Sequence, residues 1–185
     1  MSAEEDKRLT GLPPLLSANT RLLVLGSFPG AVSLATQRYY GHPQNHFWRI
    51  LRALWVDHPA AVAAGDYAAS TRWMLGKGVG LWDVYAACER EGSLDSAIRH
   101  AQVNDLASLR QRCPNLQAIA HNGGESFKHA RHTAALGLPI SDCRRPALPT
   151  PAGRSSASSP PGRPFLKHMD SFNVSQDRFP RRHSL

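Results

Sequence analysis

The sequence predicts an α/β protein: a three-layer α/β/α arrangement with a central, mainly parallel sheet. Three observations carry this expectation. Residues 21–25, 79–85 and 116–120 are short apolar runs, the pattern of strands buried on both faces. The first run leads into the Gly26–Gly30 turn and the third, past His121, into Asn122-Gly123-Gly124, each ahead of a segment with helical spacing, while the second runs into a loop. The chain has 185 residues, 42% of them apolar, which is one domain's length with enough material for a substantial core.

Taken in order, residues 1–20 are polar and then punctuated by Pro13 and Pro14, and read as a loose lead-in. The domain proper is expected over residues 21–143. After the first strand, Gly26, Pro29 and Gly30 predict a tight turn at its carboxyl end, where open α/β sheets bind ligands. A short polar interval follows. Phe47, Ile50, Leu51, Leu54 and Trp55 then fall at i, i+3, i+4, i+7 and i+8, one apolar helix face. Pro43 can close the preceding loop, and Asn45 is placed as the N-cap. Asp57-His58-Pro59 marks a break, and the alanine-rich residues 60–76 predict one helix ending at Gly76-Lys77-Gly78. Residues 79–85 form the second strand. Ser93 is placed to cap a short helix through Ile98, and Asn104 or Asp105 another reaching Arg112, stopped by Pro114. The third strand is 116–120. Asn122-Gly123-Gly124 then turns into a helix with Phe127, Ala130, Ala134 and Leu138 on one side. Residues 141–150 are expected to supply the last strand and its loop.

Charge and cysteine content narrow the function classes. The net charge of +8 favours a polyanionic partner. Residues 144–185 hold seven arginines and one lysine against two aspartates, so six of those eight charges sit there. Residues 1–143 are only mildly basic. Cys88, Cys113 and Cys143 are scattered, form no Cys-x-x-Cys pair, and indicate neither a metal site nor a disulfide framework. No apolar run is long enough to span a bilayer, and the acidic start Met1-Ser2-Ala3-Glu4-Glu5-Asp6 is unlike a secretory signal, so a cytoplasmic monomer is expected. Residues 144–185 change character. Seven prolines and seven serines fall among 42 residues with no helical or alternating period, and they read as a disordered, basic tail.

The stretch around the first turn has a recognisable composition. Gly26-Ser27-Phe28-Pro29-Gly30, Ser33-Leu34, Tyr39-Tyr40-Gly41-His42-Pro43-Gln44-Asn45 and Phe47-Trp48 resemble the first motif of the uracil-DNA glycosylase superfamily, in particular its deoxyinosine (hypoxanthine-DNA) glycosylase branch. Weaker echoes lie at Gly80-Leu81-Trp82-Asp83-Val84, Glu91-Gly92-Ser93-Leu94-Asp95-Ser96-Ala97-Ile98 and Asn122-Gly123. The resemblance covers residues 20–140. It implies a uracil-DNA glycosylase-like fold and a monofunctional base-excision repair enzyme. Such an enzyme hydrolyses the N-glycosidic bond of a flipped, deaminated base in DNA, hypoxanthine first and uracil second, with no metal or cofactor. Relatives follow their last strand with a Leu-Pro-Ser-x-Ser-Pro-Ala-type loop and a final helix. Leu148-Pro149-Thr150-Pro151-Ala152 matches this only in part, so the terminus reads as altered, as by a frameshift.

The chemistry assigns provisional roles. The base must leave the stack for a pocket, its departing charge must be stabilised, and water must reach the sugar carbon. The resemblance implies Asn45 as the catalytic residue, positioning that water through its amide; a plain N-cap is its structural alternative, compatible with the first. Mismatch-specific relatives carry asparagine in a Gly-x-Asn-Pro-Gly turn where this chain has Phe28. Phe28 would stack on the base or pack in the core. The backbone amides of Ser27 and Gly30 would meet the base or a phosphate. Tyr40 would wall the pocket or lie at an interface. Asp83 would read the base's Watson–Crick edge or cap the next turn. Asn122 and Gly123 would hold a phosphate or form a simple turn. His42 and His46 are candidate acids or solvated loop residues, with His42 also placed to meet DNA. Phe47 and Trp48 read as scaffold. The runner-up reading is an inactive DNA-binding protein of the same fold that has lost the third motif. A small-molecule hydrolase lacks its Gly-x-Ser-x-Gly elbow.

Overall fold

The computed structural model describes residues 8–143. The expectations for the tail, the altered terminus and the third motif fall outside these residues. Four strands form a parallel sheet in the order β3-β2-β6-β7: β2 (Leu22–Gly26), β3 (Val79–Asp83), β6 (Ala118–His121) and β7 (Ile140–Asp142). Pairing of β2 sets Leu22 beside Val79 and Gly26 beside Asp83 on one side, and Leu22 beside Ala118 on the other. The chain runs from β2 to one neighbour and later returns to the other. The carboxyl ends of β2, β3 and β6 therefore flank the crevice such sheets offer to ligands.

Strand β2 is buried throughout, and its side chains alternate between two cores. Leu23 and Leu25 pack with Leu106, Leu109 and Leu136. Leu22 and Val24 pack with Phe47, Leu51 and Met74. Helices thus cover both faces, the expected three-layer α/β architecture. One side receives α2 (Phe47–Leu54) and α4 (Tyr67–Gly76); the other receives α5 (Leu109–Arg112) and the segment following α7 (Ala130–Ala134).

Four local departures have clear causes. Residues 8–20 are not a loose lead-in: β1 (Arg8–Thr10) pairs antiparallel with β4 (Tyr85–Glu89), Leu12 is buried, and Leu15 bridges Leu81. β4 also pairs with β5 (Arg99–Val103), so a second, antiparallel sheet exists beside the parallel one. The run 79–85 is consequently two strands, because Val84 and Tyr85 donate to the Gly26 and Ser27 carbonyls as the chain leaves β3. The interval after the first turn contains α1 (Ala31–Thr36). The alanine-rich helix is split into α3 (Ala60–Ala63) and α4 by Gly65 at φ +84° and by Asp66, whose carboxylate accepts from Ala69 N–H.

The segment after β6 is likewise two short helices, α6 (Gly124–Phe127) and α7. Their buried positions are Ser126 and Thr133 rather than the predicted apolar side, whose Ala134 is exposed. The reason lies in β6. His121 is fully buried, and its two ring nitrogens stand 2.8 Å from Ser126 Oγ and 3.0 Å from Thr133 Oγ1. A buried polar ring needs polar partners, so the helices turn their hydroxyls inward. Burial pulls the His121 pKa down to about 4.

Candidate active site

The turn after β2 opens into a cleft of about 450 Å³, within the range of small-molecule sites. It gathers residues from across the sequence: the Gly26–Ser33 segment, Tyr39 and Tyr40, His42, Gln44 and Asn45, Asp83, the loop 93–96, and Asn122. Eight of the nine residues expected at the site line it: Ser27, Phe28, Gly30, Tyr40, His42, Asn45, Asp83 and Asn122. Gly123 does not. It opens α6 at φ +118°, and α6 is four residues long with Glu125 in its first turn, a poor setting for a phosphate.

Asn45 is half-buried. Its Oδ1 accepts from Phe47 N–H at 2.8 Å, which identifies the oxygen of the amide and fixes its plane. The predicted cap is therefore present, set two residues before the first helical residue; His46 occupies the formal N-cap position and makes no side-chain cap bond. The Nδ2 group has no partner among the described residues. Phe47 in turn stacks on Tyr40, with ring centroids 4.1 Å apart and planes inclined by 17°. Tyr40 sits at φ +53°, a conformation costly for a bulky side chain, and accepts at its hydroxyl from Asn122 Nδ2 at 2.8 Å. Trp48 Nε1 donates to the Tyr39 carbonyl. Phe47 and Trp48 are thus scaffold, and Tyr40 is a wall braced from two sides.

Asp83 ends β3 directly opposite Gly26 and is buried. A Cβ on Gly26 would lie 2.3 Å from Asp83 Oδ1, so the glycine is needed for space. Gly30, by contrast, has φ −65°, and its Cβ would meet only Ser93 Oγ at an ordinary 3.6 Å. Asp83 Oδ2 has no hydrogen-bond partner among the described residues. Desolvation first, and then the nearby Asp95, raise the Asp83 pKa to about 7. A carboxyl in that condition carries a proton near neutrality and presents both a donor and an acceptor.

The loop 93–96 closes the turn's other side, through contacts the sequence pattern did not reveal. Ser27 Oγ donates to Asp95 Oδ1 at 2.7 Å. Ser93 does not cap a helix of its own; its Oγ accepts from Ala31 N–H at 3.0 Å and so caps α1. The local element is only a 3₁₀ turn, Asp95–Ala97. Phe28 is 6% exposed, belongs to the core formed around Leu23 and Leu25, and still reaches the cleft wall. Core packing thus fixes a ring that borders the cavity. His42 is exposed at the rim and accepts at Nδ1 from Gln44 N–H. His46 is exposed and lies outside the lining, near Arg49.

Chemically, the cleft joins a neutral amide, a buried acid with a free oxygen, an aromatic wall and a polar turn at the end of a parallel sheet. The model of the Uracil DNA glycosylase superfamily matches residues 13–172 of the chain, running on through the stretch read as an altered terminus. A protein named hypoxanthine DNA glycosylase from Methanosarcina barkeri is 35% identical over 127 residues, which are 69% of this chain and 78% of that protein. Another of the same name from Methanosarcina acetivorans is 39% identical over 121 residues, 64% of this chain and 73% of that one. The solution NMR structure of a candidate uracil DNA glycosylase from Methanosarcina acetivorans has the same fold, with a TM-score of 0.63 at 28% identity over 88% of this chain and 99% of its own.

Proposed function

The chain belongs to the uracil DNA glycosylase superfamily, and we propose that it is a DNA glycosylase releasing hypoxanthine from DNA. The observation that carries this reading is the meeting in one cleft of Asn45, Phe28 and Asp83, whose Oδ2 has no hydrogen-bond partner among the described residues. The names of the two Methanosarcina relatives support the choice of base.

In this reading the target nucleotide swings out of the duplex and its base enters the cleft. Phe28 and Tyr40 border the flipped base. Protonated Asp83 faces its Watson–Crick edge: O–H to the ring carbonyl, C=O from the adjacent ring N–H. Hypoxanthine presents that acceptor–donor pair, and so does uracil. As the glycosidic bond lengthens, negative charge gathers on the base and positive charge on the sugar. The Asp83 hydroxyl and the backbone N–H groups of Ser27 and Gly30 stabilise the first. Asn45 holds the water that attacks the second. Its amide plane is already fixed by Phe47 N–H, which leaves a lone pair and an N–H₂ group to orient that water.

The test is direct release of free base. Protein is incubated with duplexes carrying one hypoxanthine or one uracil, and the liberated base is identified by mass spectrometry. Hypoxanthine release exceeding uracil release supports the reading. Release of neither by folded protein overturns it, and uracil in excess reassigns the substrate.

A further inference from the structure

Arg90 follows directly on β4 and was marked by no motif. It is 8% exposed, and a guanidinium removed from water to that degree is costly unless it is paired. Its pairing is incomplete. One terminal nitrogen donates to the Pro29 carbonyl, while Nε and Nη1 are buried without partners among the described residues. Its central carbon lies 5.0 Å from the centroid of the Phe28 ring. Phe28 lines the cleft and Arg90 does not, so Arg90 meets the cleft wall through the ring it packs against. The charged groups acting on it are Asp83 and Asp95, with the Cys88 thiol beside them.

We propose that Arg90 is the positioning residue of the base-binding turn: from outside the cleft lining it holds the Pro29 carbonyl and the Phe28 ring. This rests on the glycosylase reading for its catalytic consequence, though not for its electrostatic one. A buried, half-satisfied cation is a poor stabiliser, whereas an aromatic wall backed by a cation is held in orientation and favours electron-rich, developing anionic rings. The second consequence concerns Asp83. The groups facing it are Asp95, Arg90, Tyr39 and Tyr40; Asp95 pushes its titration upward and Arg90 pulls it down. Burial is the largest cause of the rise, and Arg90 therefore holds Asp83 below the level that burial and Asp95 together would set, lowering the pH at which its hydroxyl donor disappears.

The experiment uses the full chain as Arg90→Met and Arg90→Lys beside wild type. Three quantities are read: melting temperature, kcat and KM on a hypoxanthine duplex across pH, and the Asp83 carboxyl titration by ¹³C NMR. Arg90→Met removes both contacts and the charge. It should raise KM roughly tenfold through loss of the ordered wall, and move the Asp83 titration and the alkaline limb of activity to higher pH. Arg90→Lys keeps the charge but cannot both bond Pro29 and lie flat over Phe28. Its titration should stay near wild type while KM remains raised. A general loss of activity that tracks the melting temperature, with the titration unmoved, overturns the proposal, as does wild-type behaviour of Arg90→Met. If Arg90→Met does not fold, Arg90→Lys decides alone: KM at the wild-type value counts against a positioning role. A wild-type protein that releases no hypoxanthine overturns the glycosylase reading instead, and the NMR titration still tests what Arg90 does to Asp83.

Discussion

Gly26 and Asp83 face each other across the parallel pair β2–β3, and the carboxylate of Asp83 occupies the space that a side chain on Gly26 would fill. The first glycine of the turn is therefore a requirement of its neighbour, not of the turn's backbone. Gly26→Ala should force the buried Asp83 carboxyl to shift. The expected cost is about 1–3 kcal/mol of stability, the usual range for overpacking. Base release should fall further than that loss of folded protein explains. Thermal melts and initial rates on one preparation check both.

Asp83 makes activity and stability pH-dependent in the same direction. Its pKa rises from 3.8 to about 7 on folding, with desolvation the largest cause. Below pH 3.8 both folded and unfolded chains hold this proton. Between 3.8 and about 7 only the folded chain does, so raising pH through that window withdraws stability. At the top of that window, as pH passes about 7, the folded chain loses the hydroxyl donor too, and hypoxanthine release should fall. Asp83→Asn keeps one donor and one acceptor without a titration. It should flatten both dependences while retaining measurable release. Chemical denaturation and rates from pH 5 to pH 9 test it; an unchanged alkaline limb in Asp83→Asn would assign that limb elsewhere.

The Ser27–Asp95 bond ties the turn to a loop 68 positions away. Ser27→Ala leaves Asp95 one donor short in a part-buried setting, a loss of about 1 kcal/mol. The larger effect is expected on KM, because the loop 93–96 lines the cleft and Ser93 caps α1 from it. Asp95→Asn keeps an amide oxygen that can accept from Ser27 but removes the charge that pushes Asp83 upward, so it should lower the Asp83 titration while Ser27→Ala moves it less. Matching pH profiles for the two variants would contradict this division of roles.

What was legible in the sequence was the local part. The apolar run of β2, the Gly/Pro turn and the helix face from Phe47 onward each carry their signal within a few residues, and the family resemblance added the named site residues, eight of the nine lining one cleft. What was hidden depends on distant partners. Strand β5 is exposed along most of its length and shows no alternation, so the antiparallel sheet left no periodic trace. The cap of α1 comes from Ser93, 62 positions away, so the polar interval looked like loop. His121 reversed the buried side of α6 and α7 because its ring takes the Ser126 and Thr133 hydroxyls. Arg90 gave no signal at all, since its role lies in a contact with Phe28 that only the fold creates.

The central claim is that Asn45 directs water at a glycosidic bond within this cleft. The most direct test is single-turnover cleavage of a labelled duplex bearing one hypoxanthine, with alkali to cut abasic sites, for wild type and Asn45→Ala. Since Asn45 also caps α2, melting temperature is measured alongside, and Asn45→Ser is included to keep a capping oxygen. The account predicts hypoxanthine-dependent cleavage by wild type, reduced on the order of a hundredfold or more in both variants, with Asn45→Ser folded as well as wild type. Full activity in folded Asn45→Ser would contradict the assignment, and no cleavage by folded wild type would contradict the account as a whole.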